Sequence, residues 1–458
     1  MRSLSLSAVL VLSACLDGRY VCASSSACVA DGVAGTCEPS GFCSFADPSC
    51  PAPGRRYGAL ADAAHRDDCV GADGCVLGLA SGGFHSCAVT RGGAAWCWGW
   101  NELGQLGNAS FANAAVPVAA VDDRGAPFGD VLELDAGYDF TCARRADRMV
   151  WCWGNGRRLG AGELANQPSP RQVQADGAAL DRVVELAAGA AHACAIRDDR
   201  SVWCWGANDA GQLGDAAISE RLTASPVRWS DATLFDGATA ITAGASFTCT
   251  ARAAQVWCWG TNMFAQLGQP GGLVSSAAPV VALPTAASAL TAGGAHACAI
   301  ALDGAAWCWG RAGDGQIGRP DLPGIGVAPV TVLSAPDGPP LAQVASIAAG
   351  EAHSCASTTD GRVRCWGRGE DGQLGQGALE SSATPVDVLR ASDRAPLTGA
   401  ISVSAGIDDY QAHGGRHSCA RLRDEIWCWG TGDFGVLGDG QAQGRSLAAP
   451  VDLSAACR

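Results

Sequence analysis

The chain has 458 residues with 61 Gly, 23 Cys and 15 Trp, and its 31 basic residues, all Arg, leave a net charge of −14. That length suits two or three average domains or one large repeat array. The acid excess denies the chain the basic face that nucleic acid requires, so nucleic acid is excluded as a partner. Only the opening residues form an apolar run, and it is too short to span a membrane.

That opening reads MRSLSLSAVLVLSAC, with Arg2 as a positive n-region, Leu4 to Leu12 as the apolar stretch and small residues before Cys15. Leu12-Ser13-Ala14-Cys15 resembles a bacterial lipobox. Residues 1–14 are therefore expected to be a lipoprotein signal peptide and residues 15–21 a lipid-anchored N-terminus acylated at Cys15. An ordinary cleaved signal peptide is the alternative. Either one delivers the chain to an oxidising compartment where disulfides persist. A lipid on Cys15 would tether it to the cell envelope, periplasmic or cell-surface facing, with no spanning helix.

Residues 22–74 are rich in Cys, Gly, Ser and Pro, with too little apolar content for a core. Cys22, Cys28, Cys37 and Cys43 read as a small two-disulfide knot, and Cys50 and Cys69 as closing the loop after it; connectivity among the six stays open. This segment is expected to act as a stiff spacer between anchor and main domain.

From residue 75 to 458 one unit recurs seven times, its Trp-Gly glycines being Gly99, Gly154, Gly206, Gly260, Gly310, Gly367 and Gly430, 50 to 63 residues apart. In each, an apolar run ends in Ala-Gly or a relative (VVELAAG, 183–189), then come a strand such as AHACAI (191–196), a polar turn and VWCWG (202–206). Gln-Leu-Gly and a variable loop then lead to a Pro-Val strand (SPVRW, 225–229). Period-two alternation, turn residues and no helical periodicity predict an all-β chain. Seven four-stranded units close most simply into a seven-bladed β-propeller, preceded by the small disulfide-rich segment.

Every unit places one Cys in its second strand and one in its third, across a hairpin turn. The expected pairs are Cys87–Cys97, Cys142–Cys152, Cys194–Cys204, Cys249–Cys258, Cys298–Cys308, Cys355–Cys365 and Cys419–Cys428. Zinc is the competing reading, but two Cys per unit lack the other ligands of a four-coordinate site. Setting aside Cys15, the blade pairs and the six knot cysteines leaves Cys75 and Cys457, expected to staple the first blade to the last. Alternation also puts Trp203 and Trp205 on the face opposite Cys204, so a bulky face of one unit can stack on a smaller face of the next.

The stretch GGFHSCAVTRGGAAWCWGWNELGQLG (82–107) resembles the repeat of the regulator-of-chromosome-condensation family, with its Gly-x-x-His-Ser, Trp-Gly and Gly-Gln-Leu-Gly. The resemblance runs over roughly residues 75–456 and implies a seven-bladed β-propeller. Unit two departs from it, with Arg-Arg-Leu-Gly (157–160) and no His, and so does unit seven, with Gly-Val-Leu-Gly (435–438). The paired Cys look like those of exported bacterial members. The founding eukaryotic member is an exchange factor for a small GTPase, a role that an exported acidic chain is not expected to share. An exported member that inhibits β-lactamases through its loop face is the nearer analogy.

Five His recur at one repeat position, His85, His192, His296, His353 and His417, with Phe140 and Phe247 in the other two units. A position that takes His or Phe reads as packing, so no metal site is expected, and no cofactor motif is present. Residues that break the repeat matter more. Unit seven inserts IDDYQAHGGR (407–416), which carries Asp408, Asp409, Tyr410 and His413; Asp139, Glu351, Trp100 and Trp229 are the other irregularities. With Phe111, Trp229 and Phe264 in or near variable loops, Asp408, Asp409, Tyr410 and His413 are the candidate binding residues. The expected function is a non-enzymatic interaction scaffold whose loop face takes an extracytoplasmic protein or glycan. The alternatives are an extracellular propeller lyase or hydrolase with a site near 407–416 and, less favoured, a guanine-nucleotide exchange factor.

Overall fold

Alternation in each unit produces a four-stranded antiparallel sheet whose strands follow one another in chain order. In the third, Val183–Ala188, His192–Arg197, Val202–Gly206 and Arg221–Pro226 pair in sequence, and all seven sheets repeat that order. The blades span residues 76–119, 131–172, 183–226, 238–283, 287–331, 344–387 and 402–450. A computed structural model describes residues 75–457 apart from 216, 270–275, 284, 323, 325 and 409–413, and ahead of them only a few short strands.

The chain divides into two compact units, Met1–Asp73 and Gly74–Arg458. In the first, Val29–Ala30 pairs with Val33–Ala34, while Thr36–Cys37, Cys43–Ala46 and Arg55–Tyr57 form a three-stranded sheet. The side chains of Cys15, Cys22, Cys28, Cys37, Cys43, Cys50 and Cys69 lie outside the described residues, and with them the expected anchor and knot.

The second unit is the propeller. Each blade holds a disulfide between directly opposed residues of its second and third strands, with Cα atoms 4.0–4.1 Å apart, the spacing of a close antiparallel pair. Cys75 and Cys457 form an eighth, with Cα atoms 5.6 Å apart, joining the residue just before the first strand of blade one to the turn after blade seven. Among the described residues no strand is exchanged between the first and last blades. Closure therefore rests on this disulfide and on side-chain and backbone contacts, among them the Arg421 guanidinium donating to the Val76 carbonyl at 3.1 Å.

Packing between blades follows the large-against-small rule. Cys142 and Cys152 of blade two share a core cluster with Ala193, Ala195 and Trp205 of blade three. The same arrangement recurs at every junction, including Cys419 and Cys428 of blade seven with Ala88 and Trp98 of blade one. The two Trp columns are not equivalent. Trp98, Trp153, Trp205, Trp259, Trp309, Trp366 and Trp429 are fully buried. The other column lies at the cluster edge, and there Arg364 replaces Trp and pairs with Asp387 at 3.1 Å. Each inner Trp removes roughly 200 Å² from water, or about 5 kcal/mol of hydrophobic free energy before entropy is counted.

The Trp-Gly and Gln-Leu-Gly signatures meet at one node. The Gln105, Gln212, Gln266, Gln316 and Gln373 carbonyls each accept the indole N–H of the next blade's inner Trp at 2.8–2.9 Å. Four of them also accept a hydroxyl, from Thr141, Thr248, Ser354 and Ser418, at 2.9–3.1 Å. The Val436 carbonyl takes both donors, Trp98 and Ser86, at the closing junction. The Gly of Gln-Leu-Gly lies under the same indole: a Cβ on Gly107 would sit 2.8 Å from Trp153 Nε1. The Trp-Gly glycine has φ from +101° to +111° in all seven blades, a left-handed backbone that favours glycine.

The recurrent His positions complete this node. His85, His192, His296, His353 and His417 place Nε2 2.7–2.9 Å from the hydroxyls of Thr141, Thr248, Ser354, Ser418 and Ser86, each on the following blade. Because each hydroxyl gives its one proton to the carbonyl, the imidazole must carry its proton on Nε2. Where Phe140 and Phe247 stand, the following blade offers Ala193 and Ala297 at the hydroxyl position. His meets hydroxyl and Phe meets Ala at all seven junctions.

The structure differs from the sequence reading at the outer strand. In blade three it runs Arg221–Pro226, starting before Ser-Pro-Val and ending within it, and Arg228 then forms a bridge to Leu234. Pro226 has no N–H to give to a ladder and is the last residue of the strand. At the junction of blades two and three Arg158 stands in place of Gln, and the Trp205 N–H finds no acceptor among the described residues. There a hairpin from blade two, Gln174–Ala175 with Ala178–Ala179, joins the sheet of blade three, with Ala175 beside Ala224.

Burial lowers all five His to about 3. With folded values below the unfolded 6.5, their contribution is intact above pH 6.5 and is lost as pH falls towards 3. The loss approaches about 1.4 kcal/mol per His per pH unit. Asp135, raised to about 7 by burial, works the other way but is one group against five. The melting temperature is thus expected to fall between pH 7.5 and 5, and the double variant His296→Phe/Ser354→Ala to show a smaller fall, measured by calorimetry across that range.

Candidate functional site

Each blade begins its second strand and ends its third at the same end of the ring, where two residues are tied by a backbone hydrogen bond. The residue after Trp-Gly donates its N–H to the residue before the His or Phe: Trp100 to Phe84, Asn155 to Asp139, Ala207 to Ala191, Thr261 to Ser246, Arg311 to Ala295, Arg368 to Ala352 and Thr431 to Arg416, all at 2.9–3.0 Å. The backbone is repeated and the side chains are not, so this rim is where a symmetric ring carries individual chemistry.

On blades seven, one and two the rim is aromatic. Phe84 packs edge-on against Trp100, Tyr138 and Phe434 with ring centroids 6.2, 6.0 and 5.4 Å away, and Trp100 lies 6.1 Å from both Tyr138 and Phe434. Phe434 is 40% exposed. The inserted segment reaches this cluster: a Cβ on Gly414 would come within 2.9 Å of Tyr138 and 3.1 Å of Phe84. Asp408 is buried, and its Oδ2 accepts the Gly414 N–H at 2.5 Å, pinning the end of the insertion.

On blades five to seven the rim is charged. Arg311 pairs with Asp314 at 3.0 Å, Arg368 with Glu370 at 3.3 Å and Arg416 with Asp371 at 3.2 Å. Among them lies Glu351, 6% exposed, with a carboxylate oxygen that has no hydrogen-bond partner. Burial pushes its carboxyl above the usual range, partly offset by Arg368 and Arg416. Blades three and four contribute only Ala191, Ala207, Ser246 and Thr261.

A cavity of about 160 Å³ runs down the ring axis, lined by the innermost strands, including Ser81, Thr242, Thr291 and Ser404. Asp135 also lines it and accepts the Ala188 and Ala136 N–H groups at 2.8 and 2.9 Å. Those two bonds occupy its carboxylate, the one from Ala188 holding blade three to blade two.

The candidate binding residues are spread out. Phe111 is half-exposed in the outer loop of blade one. Trp229 packs on Phe235 and Trp257 at 4.7 and 5.1 Å, under Arg252, as part of the core between blades three and four. Phe264 lies 5.7 Å from the Arg311 guanidinium, towards the charged side of the rim. Asp409, Tyr410 and His413 lie outside the described residues. Phe84, Tyr138, Phe434 and the three Arg were missed because each looks ordinary in its own unit. Aligning the seven units column by column marks them, since these columns change residue type from blade to blade, the position before the His or Phe holding Phe84, Asp139, Ala191, Ser246, Ala295, Ala352 and Arg416.

Glu351 has a folded value above its unfolded one, so it favours the fold at low pH and that contribution is lost as pH rises through the folded value. Glu351→Gln is expected to raise stability at pH 8, by about 1 kcal/mol for an unsatisfied buried charge, and to change it less at pH 4. Chemical denaturation at the two pH values measures this.

Comparison with known proteins agrees with the architecture. The RCC1-like domain family model matches residues 59–411. The chain is 26% identical over 389 residues to the ultraviolet-B receptor UVR8 of Arabidopsis thaliana, covering 82% of each. A stretch of 145 residues is 31% identical to human E3 ubiquitin-protein ligase HERC2, covering 31% of this chain and only 3% of HERC2. Yeast RCC1 (Prp20), solved bound to Kap60, superposes with a TM-score of 0.61 at 22% identity, over 73% of this chain and 78% of that one. With an RCC1-like match over most of its length and the repeat's signature contacts at its junctions, the chain belongs to the RCC1-like domain family of β-propellers.

Proposed function

We propose that this protein is an exported, lipid-anchored propeller that binds another extracytoplasmic protein through its loop face without catalysing a reaction. The observation that carries the reading is the aromatic rim of Phe84, Trp100, Tyr138 and Phe434, gathered on three adjacent blades and partly open to solvent. Exposed aromatic anchors on a rigid frame are what protein interfaces use. Prp20, with a related fold, has binding properties towards Gsp1p and histones. Export is supported by eight disulfides, which persist outside the reducing cytosol, and by the MRSLSLSAVLVLSAC leader with Cys15 as the lipid site.

Two experiments test this. A photo-crosslinking amino acid at position 434 of the chain in its native envelope should give one discrete protein adduct that disappears with Trp100→Ala, while the same probe at Phe111 should not. Adducts that form equally from both positions contradict a defined face. In parallel, alkynyl-palmitate labelling should mark the wild type and not Cys15→Ala, and labelling that survives the substitution contradicts the anchor.

A further inference from the structure

We infer that the aromatic rim of blades seven, one and two is a docking site for a cationic protein segment, which lays an arginine or lysine side chain against Phe434 and Trp100. The inference rests on the protein-binding role proposed above and names the chemistry of the partner.

Three observations carry it. The first is strain. Phe434 has φ +58°, in the left-handed region, and at this turn position the other described units (Leu103, Ala210, Phe264, Asp314, Asp371) have no positive φ. A bulky residue in that conformation is costly, and such outliers cluster at binding sites. Here the backbone distortion coincides with a 40% exposed ring on the rim.

The second is charge. Glu102, two residues beyond Trp100, is exposed and has no ion pair among the described residues; Asp433, beside Phe434, accepts the Thr431 hydroxyl at 3.0 Å and has no arginine partner among them. Arg416, the nearest rim cation in sequence, is turned onto Asp371 of blade six. The acids of blade six differ: Glu370, Asp371 and Asp387 each pair with Arg. The aromatic patch is therefore flanked by carboxylates without cationic partners among the described residues, while Asp314, Glu370 and Asp371 of the charged arc beside it are each paired with Arg.

The third is the quadrupole of the rings. Electron-rich faces next to unneutralised carboxylates attract guanidinium and ammonium groups. A carboxylate-bearing partner would meet repulsion from Glu102 and Asp433, and a net charge of −14 steers cations towards the protein.

The test uses the full-length protein and fluorescein-labelled acetyl-(Gly-Arg)3-amide, with its Lys and Glu counterparts, followed by fluorescence anisotropy. The arginine peptide should bind saturably and the glutamate peptide should not. Phe434→Ala and Trp100→Ala should each weaken binding at least tenfold, Phe434→Leu nearly as much because it keeps bulk and loses the ring, and Glu102→Gln/Asp433→Asn several-fold. Glu370→Gln, on the charged arc, should leave binding unchanged, with melting temperatures confirming that each variant folds. Arginine-peptide binding that survives Phe434→Leu, or that falls equally with Glu370→Gln, overturns the inference, since it then reflects net charge alone. Preference for the glutamate peptide, or a self-associated dimer broken by Phe434→Leu with no peptide binding, overturns it too. A discrete crosslink at position 434 without arginine-peptide affinity leaves the proposed function standing and removes this inference only.

Discussion

The structure depends on one backbone carbonyl at each of six junctions, the junction of blades two and three being the exception. The Gln of Gln-Leu-Gly offers its oxygen at the end of a turn, and the next blade answers with an indole N–H and, at most junctions, a hydroxyl. A buried carbonyl left without a donor loses its desolvation free energy to stability, and its two lone pairs can take both an indole and a hydroxyl, although the Gln266 carbonyl takes the Trp309 N–H alone. Meeting that condition fixes the distance and angle at which two sheets pack. The disulfide on one face and the Trp on the other then fill the space between them.

The same condition explains why a ring of near-identical units tolerates variation in particular places only. His faces a hydroxyl that takes its buried Nε2 proton, and Phe faces Ala, which brings no polar group to the junction. Residues that take no part in the node can change freely, and those at the rim do. Four aromatics collect on one side, three Arg with their acids on another, and small residues fill the remainder. A symmetric frame thus presents an asymmetric face, the property expected of a selective binding surface. The narrow axial cavity has its one carboxylate, Asp135, already engaged by two backbone N–H groups.

Much of the fold could be read from the sequence, because seven repetitions of WCWG and its paired Cys express alternation directly. The blade count, the strand order and the stacking of Trp on the disulfide face of a neighbour follow from periodicity two and hairpin geometry. The position of the outer strand was less legible, since Pro-Val marks where that strand ends and variable loops hide where it begins. Binding residues were the least legible. Trp229 looked like an exposed anchor and is half-buried against Phe235 and Trp257, a contact between loop and strand that no local pattern encodes. Phe84, Tyr138 and Phe434 lie far apart in sequence and meet only because ring closure brings blade seven beside blade one. The His and hydroxyl match was visible in principle, but only to a reader who already knew that each unit faces the next.

The central claim is that polarity is matched across each junction, and a double-mutant cycle on His353 and Ser418 at pH 7.5 tests it most directly. Ser418→Ala alone strands the imidazole N–H and should cost about 1–3 kcal/mol. His353→Phe alone places a ring against a hydroxyl and should also destabilise. The account predicts that the pair together recovers much of the loss, with a coupling energy of about 1 kcal/mol or more, because Phe facing Ala is what two natural junctions already use. Strictly additive losses would contradict it and would leave the recurrent pairing as packing without matched polarity.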